Sequence, residues 1–222
     1  MPSRLTALQG RVLELLSGME PAWTLTGGAA LAGIHLGHRT TRDLDLFWHG
    51  LEELGTLDAD VMARLRRAGL DVAVLRHARS FERLRVSDGH ESVILDLIAE
   101  PVPNLEAPIS AQLGHARFQV DTPHEILVNK LCTLLDRSEV RDLLDIRELL
   151  ARGGDLDRAL ADAPRKNSGF SPLTMAWLLR DLQLASMAEA SGLEEGELQA
   201  LDRFRDELLA RVARSAAPEP ES

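Results

Sequence analysis

The segment Arg39-Thr-Thr-Arg-Asp-Leu-Asp-Leu-Phe-Trp48 alternates polar and apolar residues from Asp43 onward and predicts a strand over Arg42 to His49. Residues two apart on a strand project from one face, so Asp43 and Asp45 point the same way while Leu44 and Leu46 turn to a core. Two hard oxygen ligands side by side suit Mg²⁺, which binds through one or two carboxylates and completes its shell with water and phosphate oxygens. Just upstream, Leu25-Thr-Gly-Gly-Ala-Ala-Leu31 predicts a strand from Ala22 to Thr26, a tight turn at Gly27-Gly28, and a helix of small residues from Ala29 to Leu36. Backbone amides at such a helix start favour an anion. A glycine turn followed by a paired-aspartate strand reads as a site for a nucleoside triphosphate and a metal. No Gly-Lys-Ser/Thr follows the glycines, and no GxGxxG is present, so neither a Walker loop nor a dinucleotide fingerprint is at hand.

The rest of the chain bounds that reading. Its 222 residues allow one large domain or a domain with a smaller companion, and 45% hydrophobic content is ample for a core. The apolar stretches are too short to span a bilayer, and MPSRLTALQG lacks the apolar region of a secretory signal. Cys132 is the sole cysteine, which excludes an internal disulfide, fits a reducing cytoplasm, and reads as a small apolar core residue. The net charge of −10 argues against indiscriminate polyanion binding. Within 61–90, however, Arg64, Arg66, Arg67, Arg76, Arg79, Arg83 and Arg85 outweigh Asp71, Glu82 and Asp88. That excess is either a contact for RNA or a second phosphate, or a solvated arginine-rich face.

Helical spacing of Leu5, Leu8, Val12, Leu15 and Leu16 predicts a helix over 4–18, and a second is expected from Glu52 to Ala68, stopped by Gly69. Strands are expected at Asp71–Arg76, Phe81–Ser87 and Ser92–Ala99, the last apolar enough for burial on both faces. Pro101, Pro103 and Pro108 mark an irregular connection, and 116–120 adds an edge strand or a loop element. Thr122 as N-cap, Pro123 in the first turn and Glu125 closing a capping box announce a helix. Helical pattern then continues to 213, broken near Arg137–Ser138, at Gly153-Gly154, from Pro164 to Ser171 and around Gly192, with Ser171-Pro172 as a further start. The expected organisation is an α+β chain: an α/β core over 1–121, a helical part over 122–213 and a disordered tail over 214–222.

Asp96 interrupts an apolar strand, and a buried carboxylate demands compensation. Either it joins Asp43 and Asp45 around a metal, or it pairs with an arginine or faces solvent at a strand edge. Arg39 and Arg42 flank the aspartate strand, either to contact a triphosphate or to pair with the acidic cluster. Lysine occurs only at Lys130 and Lys166, and Lys130 lies seven residues before Arg137, on one helical face with it. A lysine suits phosphate as a point charge and an arginine as a planar fork. Asp142 and Asp145 sit close together on the next helix, open to site chemistry or to an ion-pair network through Arg137 and Arg141. His35 and His38 lack metal-ligand spacing and read as structural.

Taken in order, Leu25–Leu31, Arg39–Leu46, Asp96, and Lys130 with Arg137 and Arg141-Asp-Leu-Leu-Asp145 resemble the AbiEii/AbiGii-type nucleotidyltransferases of the DNA polymerase β-like superfamily. The resemblance covers 22–150. Its glycine and Asp-x-Asp portion marks the superfamily, and its Lys–Arg–Arg-Asp-x-x-Asp block marks the family. It implies a polymerase β-like mixed sheet with flanking helices and nucleotidyl transfer from an NTP with Mg²⁺, or Mn²⁺ in its place. For several members it implies a toxin acting on tRNA, paired with an antitoxin. It further implies that Asp43 and Asp45 hold the metal with Asp96, which activates the acceptor, that Gly27 and Gly28 cradle phosphate, and that Lys130 neutralises the triphosphate. Asp142 or Asp145 would be a further acidic site residue. Many superfamily members carry Gly-Ser at the turn; here Ala29 follows Gly28, so that phosphate contact falls to the backbone. Two other functions stand beside this one: a non-catalytic nucleotide-sensing or partner-binding module, and a small-molecule, antibiotic-type nucleotidyltransferase.

Overall fold

The structure is a computed structural model that describes residues 4–191 and 193–216. The chain divides into two compact units, Met1–Glu125 and Ile126–Ser222. The first is built on a mixed seven-stranded sheet: β1 Thr24–Thr26, β2 Asp43–His49, β3 Asp71–Ala78, β4 Phe81–Ser87, β5 Ser92–Glu100, β6 Ile109–Leu113 and β7 Ala116–Val120, in the order β3-β4-β5-β2-β1-β7-β6. The β2/β5 and β1/β7 pairs are parallel and the others antiparallel. Alternation in β2, β4 and β5 sends Leu44, Leu46, Leu84, Leu95 and Leu97 to one face at 0% exposure, covered by α1 Ala7–Leu16 and α3 Leu57–Arg67. The opposite face of those three strands is only partly buried and bears Asp43, Asp45, Arg83, Arg85 and Asp96. Ile94 and Ile98 lie on that face and stay partly exposed, so β5 is not buried on both sides as its composition suggested.

Several boundaries differ from expectation for local reasons. The helix expected from Glu52 begins at Leu57, because Gly55 takes φ +60 and the Leu54 N–H is drawn to the Arg79 carbonyl. The glycine turn and the helix after it are one element: α2 Gly27–Ala30 runs straight into a π-helical turn, Leu31–His35, where the Leu36 N–H reaches back to the Leu31 carbonyl. The 116–120 segment is β7, which lies between β1 and the unpredicted edge strand β6. The mostly exposed β6 carries too weak an alternation to be read. At α1, Thr6 and Gln9 form the reciprocal cap that sequence left unassigned.

The helices that follow are α4 Pro123–Arg137, α5 Val140–Ala151, α6 Leu156–Lys166, α7 Pro172–Asp181, α8 Leu184–Ser191 and α9 Glu195–Ser215. Thr122 Oγ1 accepts from the Glu125 N–H at 3.1 Å, as a cap should, and the Glu125 carboxylate also accepts from the backbone of Leu105 and Glu106. Pro164 does not break the chain. It sits inside α6, and the helix ends two residues later at Lys166. A break between α7 and α8 at Leu182–Gln183 had no glycine or proline to signal it. The break expected at Gly192 and the tail after 216 lie outside the described residues, while Arg214 and Ser215 belong to α9.

His35 is a structural residue of the first unit. Its Nε2 donates to the Asp121 carbonyl at 2.8 Å, and burial lowers its pKa from the usual 6.5 against the opposing pull of Asp121. A histidine held neutral in the fold binds its proton more readily when unfolded, so stability should fall as pH drops below about 6.5. Urea unfolding at pH 7.5 and 5.5 should show that loss in the parent, and a smaller loss in His35→Gln.

Candidate active site

Strand register places five side chains in one row across the sheet of the first unit. Thr26 of β1 lies opposite Asp45 of β2, Asp45 opposite Asp96 of β5, Asp96 opposite Arg83 of β4, and Arg83 opposite Arg76 of β3. Asp43 shares the face two residues earlier. Paired strands lie about 4.8 Å apart, so Asp45 and Asp96 project from neighbouring positions on one face. Asp96 is 5% exposed, and its compensation is plain: Arg83 Nε donates to Oδ1 at 2.8 Å and Nη2 to Oδ2 at 2.6 Å. Of the two readings open for Asp96, pairing with an arginine is the one seen here. Those hydrogen bonds hold Arg83 more strongly protonated than an ordinary arginine, against the desolvation that opposes it, and the nearby charges of Asp96, Asp43 and Asp45 add to the effect.

The glycine turn is packed beneath this row. Gly27 has φ +61, and a Cβ built on it would sit 2.6 Å from Asp45 Oδ2. A Cβ on Gly28 would meet Arg39 Nη2 at 2.9 Å and Thr41 Oγ1 at 3.3 Å. The turn therefore lies against a carboxylate and a guanidinium at once. Arg39 is brought to it, whereas Arg42 precedes β2 as an exposed residue. Gly27→Ala should cost about 1–2 kcal/mol from the left-handed backbone alone. It should also push Asp45 aside, so a melting curve and an NTP-binding titration should both register the change.

Lys130, Arg137, Asp142 and Asp145 form a second set, within the second unit. Lys130 Nζ lies 2.6 Å from Asp142 Oδ1 and 2.9 Å from Asp145 Oδ2, and Arg137 Nε lies 3.0 Å from Asp142 Oδ2. Both aspartates are 0% exposed and Lys130 is 7% exposed. Burial alone would lower the Lys130 pKa, but Asp145 and Asp142 outweigh it and raise the value. Lys130 and Arg137 reach the same carboxylate, as their spacing of seven predicts. The network joining α4 to α5 runs through Lys130 and Arg137, while the exposed Arg141 donates to Glu139. Cys132 is buried, with its thiol pKa pushed up to about 12 by desolvation, so it is no nucleophile at neutral pH.

The model of the family described as "Nucleotidyl transferase AbiEii toxin, Type IV TA system" matches residues 11–215. The chain belongs to the AbiEii family. Among solved structures it is similar to MenT4, a nucleotidyltransferase toxin of Mycobacterium tuberculosis, at 21% identity and a TM-score of 0.62, over 95% of this chain and 85% of that one. It is also similar to a putative nucleotidyltransferase of Helicobacter pylori, at 18% identity and a TM-score of 0.53, over 95% and 98% of the two chains. A search of curated proteins finds no match. The α+β fold is thus the polymerase β-like nucleotidyltransferase fold, and the chain is a nucleotidyltransferase of a toxin family.

Sequence reasoning missed two features of this AbiEii member. Arg83 was one arginine among many in 61–90; strand alternation puts Phe81, Arg83 and Arg85 on one face, but only the register with β5 selects Arg83 for Asp96. The other is a group on the covered side. Asp58, His77 and Glu82 bring potential metal-ligand atoms within 4.8 Å of one another. His77 and Glu82 are cross-strand partners in the β3–β4 hairpin and are hydrogen-bonded, which accounts for a Glu82 that is 2% exposed. Among the described residues no helix is long and apolar enough to cross a membrane.

Proposed function

We propose that the protein transfers a nucleoside monophosphate from an NTP to a hydroxyl on an RNA acceptor, a tRNA end, using Mg²⁺ held by Asp43, Asp45 and Asp96. It acts as the toxin of a cytoplasmic toxin–antitoxin pair, restrained by a cognate antitoxin. One observation carries the reading: Asp45 and Asp96 are level on adjacent strands, directly beside a glycine turn on which no side chain fits. The donor set suits the ion, because all three side chains offer hard carboxylate oxygens on the partly open face. When bound, Mg²⁺ supplies charge neutralisation at the triphosphate and lowers the pKa of the attacking hydroxyl.

The remaining roles belong to the chain's own residues. Asp43 and Asp45 would hold the cation, and Asp96 receives the proton of the acceptor hydroxyl as that oxygen attacks the α-phosphorus. The Gly27 and Gly28 amides and the Arg39 guanidinium hold the phosphates, and pyrophosphate leaves. Arg42 supplies positive charge at the approach. Lys130, Arg137, Asp142 and Asp145 already meet one another's charges and serve to hold α4 to α5 within the second unit.

The row favours RNA over a cationic small molecule, because Arg83 and Arg76 continue it beyond Asp96 and suit an anionic acceptor. Each α-labelled NTP is to be incubated with the protein, Mg²⁺ and, separately, total RNA, protein extract and aminoglycosides. Label should pass to RNA. Label on a small molecule instead would favour the antibiotic-type reading, and NTP binding with no transfer to anything would favour a nucleotide sensor.

A further inference from the structure

We propose that Arg83 is a resident counter-cation, which holds Asp96 while the site lacks metal and is displaced from it when a divalent cation enters. The proposal rests on the reading that Asp43, Asp45 and Asp96 hold that cation. Three observations carry it.

First, the fork of Arg83 engages both oxygens of Asp96, at 2.6 and 2.8 Å. A carboxylate has about four lone-pair sites, and a bidentate arginine takes the two that face it while setting a full positive charge beside the rest. A divalent ion held by Asp96 would sit next to that charge. The two cations compete for one carboxylate.

Second, Asp96 cannot stand alone. At 5% exposure an ionised carboxylate needs a compensating cation. Arg83 meets that need without metal, and a divalent ion meets it with metal. The site is thus charge-compensated in two alternative ways, and the exchange between them leaves no buried charge unmatched.

Third, Arg83 can leave without any movement of the backbone. Its side chain is 45% exposed, whereas that of Asp96 is 7% exposed. The guanidinium carbon lies 5.7 Å from the centroid of the Phe81 ring, which Arg76 also approaches at 5.5 Å. A side-chain rotation keeps Arg83 solvated and near an aromatic face that accepts cations. The β4 backbone, paired to β3 and β5, need not move.

It follows that metal affinity includes the work of breaking the Arg83–Asp96 pair, so removing the arginine should tighten metal binding. Mn²⁺ binding to the full chain, followed by calorimetry without nucleotide, tests this in the parent, Arg83→Gln and Asp43→Asn. Arg83→Gln should bind Mn²⁺ about tenfold tighter, the scale of one neighbouring charge screened largely by water. Its metal-free melting temperature should fall below the parent's and recover with Mn²⁺. Unchanged or weaker binding by Arg83→Gln, with binding lost in Asp43→Asn, overturns the role of Arg83 and leaves the metal site standing. Binding by Asp43→Asn equal to the parent's overturns the metal reading itself. If Arg83→Gln does not fold, Arg83→Lys serves, since it keeps charge but loses the fork. Affinity above the parent's supports the exchange, and affinity at or below it rejects it.

Discussion

Asp45→Asn should reduce nucleotidyl transfer by about three orders of magnitude while changing stability by no more than about 1 kcal/mol. The substitution keeps the shape of the side chain that lies against Gly27 and removes only a charge. That charge belongs to a face where Asp43 and Asp96 also stand and where Arg83 is drawn to all three, so its neutralisation removes repulsion and attraction together. Catalysis loses a metal ligand and the field that orients the triphosphate. Single-turnover transfer rates with saturating NTP, beside a melting curve, separate the two effects. A matched fall in activity and stability would show Asp45 to be structural.

Lys130→Met should behave in the opposite way, with a loss of about 3–5 kcal/mol in unfolding free energy, because it leaves buried carboxylates without their main partner. Asp142 and Asp145 are 0% exposed, and Arg137, which also reaches Asp142, has a side chain 51% exposed. Urea unfolding at pH 7 measures the loss. Replacing Asp145 by leucine in the same chain should restore part of it, since the charge left unmatched is then removed. The ammonium pKa is raised in the fold, so its contribution is complete below the unfolded value of 10.5 and fades only as pH rises through the higher folded value. The deficit of the variant should therefore be constant across neutral pH. A Lys130→Met protein of parental stability that cannot bind NTP would instead make Lys130 a triphosphate ligand.

Much of the site was legible because its determinants are local. A period of two put Asp43 and Asp45 on one face, and Gly27 declared itself by standing where a strand turns into a helix. The Thr122 and Ser171 starts were readable because caps are satisfied within four residues. What escaped was set by register or by the phase of packed helices. Arg83 meets Asp96 only because β4 and β5 align them, and other arginines in 61–90 were equally eligible on composition. Lys130, rather than Arg141, closes the α4–α5 network because Asp142 and Asp145 face inward while Arg141 is exposed. The edge strand β6 and the break at Leu182–Gln183 carry no strong local signal at all.

The central claim is that the row containing Asp45 and Asp96 transfers a nucleotide and not a phosphoryl group. The direct measurement supplies the same NTP labelled once at the α-phosphorus and once at the γ-phosphorus, with total RNA and Mg²⁺. Label retained on RNA from the α position alone, abolished by chelation of the metal, is the expected result. Label from the γ position on the acceptor, or α-label transfer that persists in Asp45→Asn, would contradict it.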